Sequence, residues 1–283
     1  MSYGTYNNPM QASLFRKQIF LPQDHGSWVF ILSPLLIGLF AGKQLSFASF
    51  NLIVAAMAAF LIRQPLTIAV KIVSGRRAKD ELPAARFWMI VYGAIALLAL
   101  SGLFLEGFSF IFFLAVPAVP VFAWHLWLVS RREERRQAGV EIVAIGVLAL
   151  AAPAAFWVGI GHYDLTGWWL WILVWMQTAA SIVYAYLRLE QREQTEIKGR
   201  RAQWMMGFRA ALYTSFNLAS AQSLSLLAVL PGFIFIPFLL QWLETLWGII
   251  HPAIGWKPTR IGIRQLIVST FWTILFILTW TSP

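Results

Sequence analysis

The chain reads as an all-α integral membrane protein of nine transmembrane helices, with its N-terminus cytoplasmic and its C-terminus outside. Three observations predict this. Of 283 residues, 59% are hydrophobic and 12% charged, which is too little charge for a soluble protein of this size. Apolar runs long enough to cross a bilayer, which takes about 20 residues, recur along the whole chain. When those runs are threaded through a membrane, every one of the 22 Lys and Arg residues except Lys43 falls on the same side, and the positive-inside rule makes that side cytoplasmic.

Residues 1–27, ending in RKQIFLPQDHGS, lack an apolar core followed by a small-residue cleavage site and are expected to form a cytoplasmic tail. The spans are expected at 28–44, 47–70, 85–105, 108–129, 140–161, 166–187, 208–228, 231–250 and 263–281. Connections on the outer side are short: GKQLSF, LEGFSF, GHYDLTG and LPGF. Connections on the inner side hold the charge. Arg16 and Lys17 precede span one, and Arg63 to Arg86 surround the second connection. Arg131 to Arg136 fill the fourth, Arg188 to Arg209 surround the sixth, and Lys257, Arg260 and Arg264 occupy the eighth. Fifteen Trp and 22 Phe suit many membrane interfaces. The absence of Cys removes disulfides and thiolate-bound metals.

This distribution accounts for the net charge of +10 without nucleic acid, since a basic rim sets orientation and attracts anionic headgroups at about 1 kcal/mol per residue. Membrane lipids are the first expected partners. Function is expected on the inner face, where His25, His125 and His251 also fall, with His162 outside. SGRRAK at 74–79 recurs as KGRRAQ at 198–203. That echo suggests one polytopic domain, 28–283, with an internal repeat of 28–129 and 140–250 and span nine added.

Nine helices with matched cytoplasmic loops after spans two and six resemble the UbiA-type intramembrane prenyltransferases. The resemblance implies two four-helix bundles plus one helix around a central cavity. In that superfamily N-x-x-x-D-x-x-x-D and D-x-x-x-D motifs hold Mg²⁺ and an isoprenoid diphosphate. Here Arg63, Thr67 and Lys71 stand at the first motif, and Ser181 and Arg188 replace carboxylates at the second, with Glu190 left as an acidic match. The three Asp, at 24, 80 and 164, form no such motif. The superfamily's metal site does not carry over, so no metal or cofactor is required and a role for Mg²⁺ stays open. LPQDHGSWVFILSPLLIGLFAG at 21–42 and RQP at 63–65 resemble the YwiC-like bacterial membrane proteins, a likeness that implies a relative and no particular reaction.

Residues 63, 67 and 71 share a helix face within about 80°, and Pro65 is expected to kink the helix near Gln64. An arginine at that depth is costly unless it faces inward with a partner. Arg63, Gln64 and Lys71, with Tyr184, Arg188 and Arg192 at the same spacing on the matching helix, are the ligand-binding candidates. Their guanidinium forks suit a lipid phosphate, an isoprenoid diphosphate or an acidic quinone precursor. The alternative is that Arg63 and Lys71 snorkel to headgroups while Arg188 pairs with Glu190 or Glu193.

Asp24 and His25 are the catalytic candidates, with the carboxylate orienting the imidazole as a base; a helix cap is the competing role. A three-histidine metal site is not required by the spacing. Glu190, Glu193 and Glu196 read as a solvated, ion-paired helix end, and Glu141 as a partner of the preceding RREERR run. In span seven Asn217 and Gln222 are candidates to line a cavity, and Gly38 and Gly42 read as helix packing. Apart from that polar patch, ionisable groups are not expected in mid-membrane, which argues against an ion-coupled pump.

The function expected is binding of a hydrophobic anionic small molecule, of isoprenoid or quinone type, at a basic inner cavity. The alternatives are a non-catalytic scaffold in a larger membrane complex and a prenyltransferase-like enzyme with metal-free diphosphate binding. The membrane expected is a bacterial inner membrane or a thylakoid-type internal membrane.

Overall fold

The computed structural model describes residues 14–22, 25–133, 137–196 and 199–281, and these are helical throughout apart from turns and short loops. The α-helices are α1 (Lys17–Phe20), α2 (Val29–Gly42), α3 (Phe47–Val73), α4 (Leu82–Leu105), α5 (Ala115–Arg131), α6 (Ala138–Ala149), α7 (Ala151–Ile160), α8 (Thr166–Arg192), α9 (Arg200–Leu226), α10 (Phe235–Ile250) and α11 (Pro258–Thr281). Each of the nine expected spans is occupied by helix among the described residues. Six segments are long and apolar enough to cross a membrane: Phe47–Val73, Lys79–Leu105, Ser109–Arg131, Ala138–Ile160, Thr166–Arg192 and Pro258–Thr281. Gly26–Gly42 and Phe235–Ile250 are shorter apolar helices. The protein is a multi-pass membrane protein.

Prolines shape these rods unevenly. α3 continues through Pro65, which is buried. The fifth expected span is broken at Leu150, three residues before Pro153, whose ring crowds the carbonyl four positions back. The Leu150 N–H turns to Val147 O at 3.1 Å. Gly146 O instead accepts from the Trp171 indole at 2.8 Å, and the stacked Trp175 donates to Ile142 O at 2.7 Å. A break deep in the helix is tolerated because a neighbouring side chain satisfies the carbonyl of Gly146 that the Leu150 N–H leaves.

The chain forms two compact units. One holds the described residues up to Ser27 and from Ser46 to Gln137. There α3 packs along α4 and against α5, and α3 begins with a capping box in which Ser46 and Ser49 exchange backbone bonds at 3.2 and 3.3 Å. The segment 14–20 lies on α3 and α4, burying Ile19 with Ile68, Ile72, Ala84 and Ala85. Its carbonyls at Leu14, Gln18 and Phe20 accept from Trp88 Nε1 (2.8 Å), Gln64 Nε2 (2.9 Å) and Tyr92 OH (3.0 Å).

The second unit runs from Trp28 to Leu45 and from Ala138 onward. This division differs from the expected halves at 28–129 and 140–250, because α2 packs on α7, α6, α8 and α11. Gly42 and Gly159 explain the closeness: a Cβ on Gly42 would lie 2.8 Å from Gly159 Cα. Small residues let the two backbones meet. α8 touches most of the unit, α9 packs on α8 and α10, and α10 packs on α11.

Candidate functional site

The polar chemistry of the second unit gathers where α8, α10 and α11 meet. α8 runs five residues beyond the expected end at 187, so Arg188 lies on the helix, 1% exposed. Its Nη1 donates to Gln191 Oε1 (2.9 Å), Gly248 O (2.7 Å) and His251 O (2.7 Å). The last carbonyls of a helix lack intrahelical donors, and a cation there also meets the negative end of the helix dipole. Arg188 therefore caps α10 from α8. It does not pair with Glu190 or Glu193, which are exposed on the other face. Gln191 completes the cap by donating to Gly248 O at 3.0 Å. Gly248 is required here, since a Cβ would run into the Tyr184 hydroxyl. Arg192 donates to Trp256 O at 3.1 Å.

Aromatic rings surround the guanidinium of Arg188: Trp256 at 4.9 Å, Trp247 at 5.6 Å and Tyr184 at 5.9 Å from their centroids. Its Nη2 is buried without a hydrogen-bond acceptor and faces ring density in place of one. The next arginines continue the alternation, Arg260 lying over Trp256 at 4.0 Å and Arg264 over Trp247 at 3.7 Å.

Arg264 also makes a forked ion pair with Glu244, Nε to Oε1 at 2.6 Å and Nη2 to Oε2 at 2.7 Å. Tyr184 donates to the same Oε1 at 2.8 Å. The expectation that mid-span ionisable groups are missing is corrected here, because Glu244 lies inside the apolar helix Phe235–Ile250. The signal was available: it is the sole acidic residue in FIPFLLQWLETLWGII, and an ionisable residue in such a run marks a site by default.

Outside this cluster a groove of about 860 Å³ opens along α11. Trp256, Lys257, Arg260 and Arg264 form its basic end, and Ile263 and Ile267 form an apolar wall. The side chains of Lys257 and Arg260 have no carboxylate partner among the described residues. Stacking holds the Arg260 guanidinium flat and leaves its in-plane donors available. Lys257 and Arg260 appear in the sequence only as part of a basic rim; Pro252 and Gly255, the latter at φ +67°, mark a turn at 251–257, but do not reveal that the turn brings them beside Trp256.

The other candidates sit elsewhere. In the first unit Arg63 is half-buried with its guanidinium 5.1 Å from the Phe60 ring, Gln64 is committed to Gln18 O, and Lys71 is half-buried. Arg76, in the GRRA echo, donates to Val129 O at the end of α5, a C-terminal capping role like that of Arg188. Asp24 and the His25 side chain lie outside the described residues, as does the second half of the RREERR run, 134–136. Glu141 accepts from Tyr186 at 2.8 Å. Asn217 donates to Met176 O at 2.7 Å and joins α9 to α8 instead of lining a cavity. Among the described residues no three His, Asp or Glu side chains gather to hold a metal.

The YwiC-like protein family model matches residues 21–156. The chain is 22% identical over 253 residues to the uncharacterized protein YwiC of Bacillus subtilis (strain 168), covering 89% of this chain and 94% of that protein. No solved structure gives a significant match, and the likeness to UbiA-type prenyltransferases rests on the sequence pattern alone. The family match over residues 21–156 and the similarity along most of its length make this chain a relative of the YwiC-like proteins.

Proposed function

We propose that this protein crosses the membrane nine times with its basic connections on the cytoplasmic side, and that it binds an anionic lipid of isoprenoid or quinone type there. The groove on α11 carries the proposal. Two cations with no carboxylate partner among the described residues, Lys257 and Arg260, stand at one end of an apolar wall, which is the complement of an amphiphile with an anionic head and a hydrocarbon tail. The aromatic and guanidinium ladder behind it supplies rigidity, since each ring holds an arginine in a fixed plane. Arg188, one of the ligand-binding candidates on sequence, serves this site by holding α8 against the end of α10, and the anion contact passes to Lys257 and Arg260.

The test is retention of a long-chain isoprenoid diphosphate by the purified protein, with and without EDTA. Retention that survives EDTA and is lost in a Lys257→Gln/Arg260→Gln variant supports the groove. Retention unchanged by that double substitution, or absent in the wild type, refutes it.

A further inference from the structure

Arg264 lines the groove and simultaneously holds Glu244. Behind it lies a small buried pocket formed by Ser181, Tyr184, Gln241, Glu244, Gln265 and Ser269, and Val268 lines both cavities. The inner pocket has one unfilled polar demand. Gln241 is 5% exposed. Its Nε2 donates to Gln177 O (2.9 Å) and Ser181 Oγ (3.1 Å), while its Oε1 is buried with no donor. Glu244 follows three positions along α10 and lines the same pocket. A carboxylate has no hydrogen to offer, whereas a carboxylic acid has one. A protonated Glu244 would bring to this pocket the hydrogen that Gln241 Oε1 lacks, with Oε1 of Glu244 still accepting from Tyr184.

The charges around Glu244 are few. α8 presents Tyr184 and Arg188, and α11 presents Arg264, with Arg260 and Lys257 toward the groove mouth. The buried residues of α9 are Gly207, Ala210, Thr214, Asn217 and Ala221, none titratable. On α10 itself His251 is exposed and stacked on Trp247. Among the described residues Arg264 alone forms an ion pair with Glu244. If Arg264 turns to another anion, the carboxylate is left 11% exposed without its counter-ion, a state that proteins relieve by taking up a proton.

Building on the groove as a lipid site, we infer that its ligand carries a phosphate monoester head, which displaces Glu244 from Arg264 while Glu244 takes up one proton. The exchange balances: two N–H···O bonds from Arg264 to Glu244 break, two form to phosphate oxygens, and solvent supplies the proton that bridges Glu244 to Gln241. A monoester offers two charges and three oxygens, enough for Lys257, Arg260 and the freed fork of Arg264 together.

The experiment measures retention of dodecyl phosphate by the protein in phosphatidylcholine nanodiscs, above the second phosphate ionisation at about pH 6. Methyl dodecyl phosphate and inorganic phosphate are run in parallel. The wild type is expected to weaken about tenfold per pH unit on the alkaline side and to take up one proton per ligand in calorimetry across two buffers. Glu244→Gln mimics the protonated acid, so it should bind independently of pH, at the strength the wild type reaches at the acidic end. The diester should bind more weakly and inorganic phosphate more weakly still.

A Glu244→Gln protein that keeps the wild-type pH slope, or wild-type binding without proton uptake, overturns the exchange and leaves the groove standing. Equal retention of the diester overturns the monoester assignment, and equal retention of inorganic phosphate overturns the lipid source. Absence of any retention by the wild type removes the groove reading and this one together.

Discussion

Arg188→Gln separates a helix cap from a ligand contact. In the native protein one nitrogen of Arg188 satisfies Gly248 O and His251 O at 2.7 Å and Gln191 Oε1 at 2.9 Å. Glutamine at 188 is too short to reach α10 in the same geometry. Gln191 Oε1 keeps a second donor, Ala253 N at 3.3 Å, and Gly248 O keeps Gln191 Nε2. The loss falls mainly on His251 O and on the volume vacated among Trp247, Trp256 and Tyr184. A buried carbonyl left without a donor costs about 1–3 kcal/mol, and the part-buried His251 O falls at the low end of that range. A truncated large side chain in a packed site adds about 1–3 kcal/mol, and removal of a desolvated charge offsets part of the sum. The net expectation is a loss of about 2–4 kcal/mol, read as a lower midpoint in denaturant titration of the detergent-solubilised protein. Arg188→Lys should recover little, because an ammonium lacks the planar fork and ring stacking. Wild-type stability in Arg188→Gln, or full recovery by lysine, would refute the capping role.

Gly38→Val should destabilise the protein by about 1–3 kcal/mol, seen as a lower thermal midpoint, because its Cβ would meet Ala152 O and Ala155 Cβ on the facing helix. Trp88→Phe removes the donor to Leu14 O and should speed proteolysis of the segment before α1 without changing the thermal midpoint by more than about 1 kcal/mol equivalent. Asp164, in the loop before α8, accepts from Thr166 N at 2.7 Å. Its carboxyl is held below the ordinary carboxylate range, first by hydrogen bonding to Thr166. A lowered folded-state value means its contribution is present near neutrality and is lost as acid brings pH down through that value. Asp164→Asn should abolish this part of the acid sensitivity, a small effect because the group is only half-buried, and unchanged acid titration in the variant would count against it.

The helical framework was legible because a hydrocarbon core imposes one length and one composition on whatever crosses it, and the basic residues mark the same ends independently. Helix ends were less so. α8 and α9 carry Arg188, Arg192, Arg200 and Arg201 on helical turns, where charge density looks like a loop. The burial of Arg188 could not be read, since two of its partners are backbone carbonyls 60 and 63 residues away, and any residue type supplies a carbonyl. Glu244 was visible as an acid in an apolar run, but its pairing with Arg264 depends on how α10 and α11 pack. The grouping of α2 with α6 and α7 likewise depends on glycine contacts that only the folded chain brings together.

That grouping has a consequence for synthesis. α2 leaves the ribosome before α3, α4 and α5 of the first unit, and its glycine-faced partner α7 follows only after the residues from Lys43 to Leu150 have been made. At about 5–20 residues per second the interval is of the order of 5–20 s. For most of that time α2 lacks its native neighbours α6, α7, α8 and α11 and must be sheltered by lipid or by the insertion machinery. Slowing elongation within the first unit should therefore lower the yield of folded protein, whereas slowing it after α8 should cost far less.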